Sequence, residues 1–245
     1  MNKKAWWLAL VTPFIFAACK KETETLQTPT VADYAPISVG KYITYQLDST
    51  VFYTNFGTTT EVFRYQVKLS VDAAVTDNLG RPAFRIVRSI RKSATDAWVP
   101  DNSFMVLYSA NTLEFIENNL RFLKLKEPIK DGYSWKGNSY IDTYSQFSTL
   151  RYLDDWDYTI DSVGTSLTLG SVTLPNTLKV DQRNEVIGNP DDPNSYSEIN
   201  YGAENYAEGI GLVYRRFFHV EYQPPTSSTG YRTGYGITMM MIDHN

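Results

Sequence analysis

Val62-Phe63-Arg64-Tyr65-Gln66-Val67-Lys68-Leu69-Ser70-Val71-Asp72-Ala73-Ala74-Val75-Thr76 decides the fold class. Phe63, Tyr65, Val67, Leu69, Val71, Ala73 and Val75 alternate with Arg64, Gln66, Lys68, Ser70, Asp72 and Ala74. Period two with one apolar and one polar face is the pattern of a half-buried antiparallel strand. Asp77-Asn78-Leu79-Gly80-Arg81-Pro82 follows as a turn, and Phe84–Lys92 as its partner, with Phe84, Ile86 and Ile90 on one side. The two runs read as a β-hairpin.

Similar runs extend outward on both sides. Upstream, Pro36 and Gly40 shape a turn that feeds a strand over Tyr42–Tyr53, and Asn55-Phe56-Gly57 ends it. Downstream, Trp98-Val99, Phe104–Ser109, Thr112–Glu117 and Arg121–Lys126 are short β-type runs punctuated by Asn111, Asn118 and Asn119. Leu113–Leu125 is also compatible with a helix, because Leu113, Ile116, Leu120 and Leu123 fall at helical spacing; the asparagines favour strands. Further strands are expected at Tyr140–Phe147, Tyr152–Val163, Leu167–Leu169, Leu174–Ile187, Ser197–Glu204, Leu212–Tyr222 and Tyr231–Ile242. Gly164, Gly170, Gly188–Ser195 and Pro224–Gly230 separate them. Pro-Ile-x-x-Gly followed by an aromatic occurs twice, from Pro36 and from Pro128, as two related β units or as one turn chemistry used twice. The reading is one mainly β domain over residues 34–245, a single antiparallel, strongly curved sheet or barrel with few or no helices.

The N-terminus has a different character. Lys3 and Lys4 precede an uncharged, mostly apolar run from Ala5 to Ala18, about 14 residues and too short to span a bilayer. It ends Phe16-Ala17-Ala18-Cys19. This resembles a bacterial lipobox, with Phe16 where leucine is usual. The resemblance implies cleavage between Ala18 and Cys19, acylation of Cys19, and removal of residues 1–18. Cys19 is the single cysteine of the chain, so no disulfide and no thiolate metal site is expected. Residues 19–33 are mostly polar and read as a flexible tether. Lys20-Lys21-Glu22-Thr23-Glu24 is similar to the charged surface-export signal of Bacteroidota lipoproteins, which leaves the cell surface and the periplasmic face of the outer membrane both open. The expected membrane link is through two or three N-terminal acyl chains, enough for stable anchoring.

Three blocks extend the resemblance: Pro36-x-x-x-Gly40-x-Tyr42-x-x-Tyr45, then Pro128-x-x-x-Gly132-x-x-Trp135, then Leu174–Val180 with Tyr206-Ala207-x-Gly209-Ile210-Gly211-Leu212-Val213. Together they are similar to a family of uncharacterised Bacteroidota outer-membrane lipoproteins. That family implies a curved antiparallel sheet of LolA-like or lipocalin-like kind, and no known activity.

Composition narrows the chemistry. The formal net charge is −4, and the signal carries off Lys3 and Lys4, so nucleic acid is a poor partner. Histidines are His219 and His244 alone, with no third ligand for zinc and no Gly-x-Ser-x-Gly for a nucleophile. Walker A and dinucleotide fingerprints are missing. Asp154-Asp155-Trp156-Asp157 and Asp191-Asp192 lack calcium-loop spacing and read as solvated turns. No enzyme activity, metal or cofactor is expected. With 18 Tyr, 12 Phe and 5 Trp, two binding readings stay open. One is a hydrophobic small molecule held on an apolar concave face. The other is a glycan or adhesion surface of exposed aromatics. A cavity would favour the first and a row of exposed rings the second.

Overall fold

A computed structural model describes residues 28–53, 57–226 and 229–245. Cys19, Ala18 and the Asn55-Phe56 part of the first expected turn lie outside the described residues. The described strands are β1 (Tyr42–Phe52), β2 (Thr60–Thr76), β3 (Pro82–Arg91), β4 (Val99–Ser109), β5 (Thr112–Glu117), β6 (Leu120–Lys126), β7 (Ser134–Lys136), β8 (Asp157–Leu169), β9 (Val172–Gly188), β10 (Ser197–Ala207), β11 (Gly211–Gln223) and β12 (Tyr231–His244).

All twelve form one antiparallel sheet in the order β6-β5-β4-β3-β2-β1-β12-β11-β10-β9-β8-β7. Each strand pairs with its sequence neighbours except β6 and β7, which are the two edges, and the first strand pairs with the last. Tyr45 faces Met241 and Leu47 faces Met239 in that closing pair. The order is an up-and-down meander curled toward closure, the arrangement of lipocalin-type barrels widened from eight strands to twelve. The remaining gap lies between β6 and β7. There the Leu123 N–H donates to the Gly137 carbonyl at 2.8 Å, and the Trp135 indole N–H donates to the Leu123 carbonyl at 2.7 Å.

The β2–β3 hairpin forms as the alternation predicts, with Val67 facing Ile90 and Val71 facing Ile86. Its turn is fixed by Asp77. This carboxylate accepts from the Leu79 N–H at 2.9 Å, the Arg81 N–H at 2.9 Å and the Arg81 Nε at 2.8 Å. Those hydrogen bonds, the Arg81 backbone first, bring the Asp77 carboxyl down to about 2. Val67 and Val71 are buried, whereas Arg64 is exposed and Gln66 and Lys68 are half-buried. Polar residues on the outer face are the reverse of a lipid-facing barrel wall.

Leu113–Leu125 is two strands, β5 and β6, joined through Asn118 and Asn119, which both take positive φ. A helix is ruled out there because the asparagines occupy the two left-handed turn positions.

Four expectations need correction. Tyr140–Phe147 is no strand but part of the long connection between β7 and β8. Asp142 captures the amides of Tyr144 and Ser145 at 3.1 and 3.0 Å, so this backbone is satisfied by a side chain rather than by a ladder. Tyr152–Val163 starts later, at Asp157, after a 3-10 turn over Arg151–Leu153; it then continues through Gly164 to Leu169, with three register shifts absorbing the irregularity. Val99 and Phe104–Ser109 join as β4, with Trp98 just before it, and Pro100 sits at a register shift, where a missing N–H is tolerated. Finally, the packed domain begins at Val31 rather than Tyr34. Val31–Tyr34 forms a one-turn helix, α1, held by Asp33, whose carboxylate accepts from the Thr30 N–H at 2.7 Å and hydroxyl at 2.8 Å. Val31 and Tyr34 are both buried.

An eight-stranded barrel is just wide enough for its own side chains to fill, and twelve strands enclose more space. Two segments occupy part of it. The β7–β8 connection lays Ile141, Leu153 and Trp156 against Tyr158, Ile160, Val180 and Phe217. From the other side, α1 adds Val31 and Tyr34 to the same core. The half of the interior bounded by β1–β6 and β10–β12 is less completely filled.

Candidate functional site

That half holds a cavity of about 170 Å³. Its wall is made by inward-facing positions of nine strands. Ile43, Tyr45 and Leu47 come from β1, Val67 and Leu69 from β2, Ile86 from β3, Phe104 and Val106 from β4. Phe115, Ile237 and Met239 continue the apolar lining. The wall includes Pro36, Ile37 and Lys41 before β1, and Ile210 and Gly211 in the β10–β11 turn. All of these lie at the barrel end where β1 begins. Among the described residues, none from the connections at the opposite end lines it. Pro36, Ile37, Lys41 and Ile210 are half-exposed, so the mouth is on the β1-start end. That is the end at which the chain enters from α1.

Inside this apolar wall sits an ionic cluster. Glu204 on β10 and Lys124 on β6 are buried, with Lys124 Nζ 2.7 Å from Glu204 Oε1. Tyr206 donates its hydroxyl to Glu204 Oε2 at 2.7 Å. Arg215 on β11 places Nε 3.4 Å from Glu204 Oε1 and Nη1 3.5 Å from Glu117 Oε2. Arg215 Nε is buried and makes no well-aligned hydrogen bond. Burial pushes the Glu204 carboxyl up, but Lys124 and Arg215, with hydrogen bonds from Lys124 and Tyr206, more than reverse this and hold it below the usual range. Burial pulls the Lys124 ammonium down, and Glu204 only partly offsets it. Arg215 is also opposed by burial, yet Glu117 and Glu204 hold it above its ordinary value. Two cations and two carboxylates thus neutralise each other within an apolar chamber.

Two further cations line the cavity. Arg88 is committed to Asp101 through two bonds of 2.9 Å. Lys41 at the mouth donates to the Gly209 carbonyl at 2.8 Å, and no carboxylate among the described residues lies within ion-pair distance of it. Burial lowers its pKa.

The residues singled out in the sequence lie elsewhere. His219 is buried on β11, stacked on Tyr152 with ring centroids 3.9 Å apart, its Nδ1 2.7 Å from Asn200 Oδ1. Burial lowers its pKa, and the carboxylates of Glu198 and Glu221 lie 3.9 and 3.7 Å away. Asp154 accepts from Thr143 and Tyr144, Asp155 and Asp157 pair with Lys136, and Asp192 accepts from the Asn194 N–H. Among the described residues no group of three or more histidines, cysteines or acids could hold a metal ion. Tyr45, Trp135, Trp156, Tyr158 and Tyr206 are core. The most exposed rings among the described residues are Tyr140, Tyr144 and Phe147 in the β7–β8 connection; Phe63, Tyr108, Tyr231 and Tyr235 on the strands and Tyr196 before β10 are exposed to a lesser degree.

Sequence reasoning missed Lys124, Glu204, Arg215 and Glu117. The available signal was a charge at an inward parity: Arg215 sits between Val213 and Phe217, and Lys124 two residues after Phe122. Only the barrel brings them together, from four strands.

No protein-family profile and no curated protein sequence matches this chain. A solved structure of a Bacteroides fragilis protein with a YmcC-like fold superposes over 86% of this chain and 98% of its own, at 9% sequence identity and a TM-score of 0.42. A superposition that loose carries no argument about function. No helix among the described residues is long and apolar enough to cross a membrane.

Proposed function

We propose that this chain is a lipid-anchored lipoprotein of the bacterial envelope that binds a hydrophobic small molecule inside its barrel and catalyses no reaction. The carrying observation is the part-filled apolar cavity between β1–β6 and β10–β12. Well-packed interiors leave few voids, and each unfilled volume forfeits contacts of its lining atoms. An engineered, wholly apolar cavity of about 150 Å³ binds benzene, so a void of this size is large enough for a small ligand. The anchor rests on Phe16-Ala17-Ala18-Cys19, and the outer-membrane location on Lys20, in place of an aspartate, after Cys19 and on the charged Lys20-Lys21-Glu22-Thr23-Glu24 stretch.

Native mass spectrometry of the protein purified from the envelope tests the binding. The wild-type chain should carry an apolar adduct that solvent extraction removes. Ile86→Trp, which puts an indole into the cavity, should carry none. A wild-type protein without an adduct, or an Ile86→Trp protein that keeps it, would overturn the reading.

A further inference from the structure

The cavity's size and charge distribution specify what kind of molecule it takes, an inference that rests on the binding reading above. At about 170 Å³ the void accommodates roughly a benzene ring or six to eight methylene groups. A full-length acyl chain is longer than that. The polar end of a ligand then has two places to go. One is the cluster of Lys124, Glu204, Arg215 and Glu117. An anion there would turn a neutral set of charges net negative and meet Glu204 and Glu117 as well as the cations. A cation would meet Lys124 and Arg215. Either placement adds a buried, uncompensated charge.

The other place is the mouth. Lys41 is the lining cation without an acidic partner among the described residues, and the Gly209 carbonyl satisfies one of its three donors. It is half-buried, and the loss of water around it disfavours the charged form. An anionic group beside it would restore that balance with a charge-assisted hydrogen bond. Ile43 and Ile37, on the same rim, continue inward into the apolar wall.

We infer that the cavity binds a medium-chain amphiphilic anion, tail inward against Ile43, Leu69, Ile86 and Phe115, with its head on Lys41. The chemistry is that of a carboxylate on about six to eight carbons. The four clustered charges, Lys124 and Glu204 buried and Arg215 and Glu117 half-buried, link strands β5, β6, β10 and β11 and leave the ligand's head alone.

The test titrates the full chain, held in amphipol, with carboxyl-labelled octanoate followed by carbon NMR. Octanol and hexadecanoate serve as probes of charge and length. Octanoate should bind, about tenfold more weakly to Lys41→Met and near wild-type strength to Lys41→Arg, the worth of one charge-assisted hydrogen bond. Octanol binding should be indifferent to both substitutions. If octanol binds as tightly as octanoate, or Lys41→Met leaves octanoate unchanged, the head assignment is overturned while the cavity reading stands. Tighter binding of hexadecanoate than octanoate would overturn the chain length. Failure of all three probes to bind would remove this inference, and an adduct found by mass spectrometry would still uphold the binding reading.

Discussion

Glu204 is about as buried as a residue can be, and its charge is tolerable because Lys124 and Tyr206 both bond it. A buried ion pair is weak evidence for net stability, but breaking one from a single side leaves an unpaired charge. Lys124→Met should therefore cost about 3–5 kcal/mol, read from urea unfolding. The double variant Lys124→Met/Glu204→Gln should regain much of that loss, since it removes both charges and keeps the Tyr206 contact. A double variant no more stable than the single one would mean that the lost lysine packing, and no stranded carboxylate, dominates. The same residues mark a limit of sequence reading. Arg215 and Lys124 look like ordinary surface charges on short strands. Their inward parity becomes meaningful only after the register is known, because one residue of slip exchanges the two faces.

At the scale of elements, alternation and turn chemistry were enough to place most strands. Phe63 to Val75 and Asp77–Arg81 fix a hairpin by local rules alone. The failures have a common cause, which is a side chain or bulge substituting for a regular ladder. Asp142 satisfies backbone amides in a stretch of β-favouring residues, and Gly164 interrupts a strand that nonetheless continues. The two kinds of strand glycine can be told apart by experiment. Gly234 in β12 has φ +125°, and a Cβ there would lie 2.1 Å from the His219 carbonyl of the neighbouring strand. Gly164 has φ +72° and open space around the same position. Gly164→Ala should cost about 1 kcal/mol of backbone strain. Gly234→Ala adds a backbone clash in the β11–β12 pair and should cost about 3 kcal/mol, or roughly 6–12 °C in Tm. Equal Tm losses would show that the pair can shift to admit the methyl group.

For the whole molecule, the sequence made the class legible but not the strand order or the cavity. Twelve strands of mixed length carry no mark saying that the first pairs with the last. The closing contacts between Tyr45 and Met241 or Leu47 and Met239 are ordinary apolar pairs. A cavity is less legible still, because it is volume left over after every side chain is placed. The anchor is a matter for the cell. Cys19→Ala should shift the protein from the detergent-extracted membrane fraction to a soluble or unprocessed form, seen by fractionation and immunoblotting. A variant that stays with the membrane would remove the lipobox from the account. The cavity mouth lies at the barrel end where α1 leads into β1.

The pairing of β1 with β12 also sets an order of events during synthesis. β1 is the first strand made, and one of its edges stays open until residues 231–245 have been added. Until then β1–β6 and β7–β11 are two separate meanders, because β6 and β7 do not pair. Contacts this distant in sequence form slowly, because a long loop must close before they contribute. The two halves of the sheet therefore become one only when β12 arrives to pair with both β1 and β11.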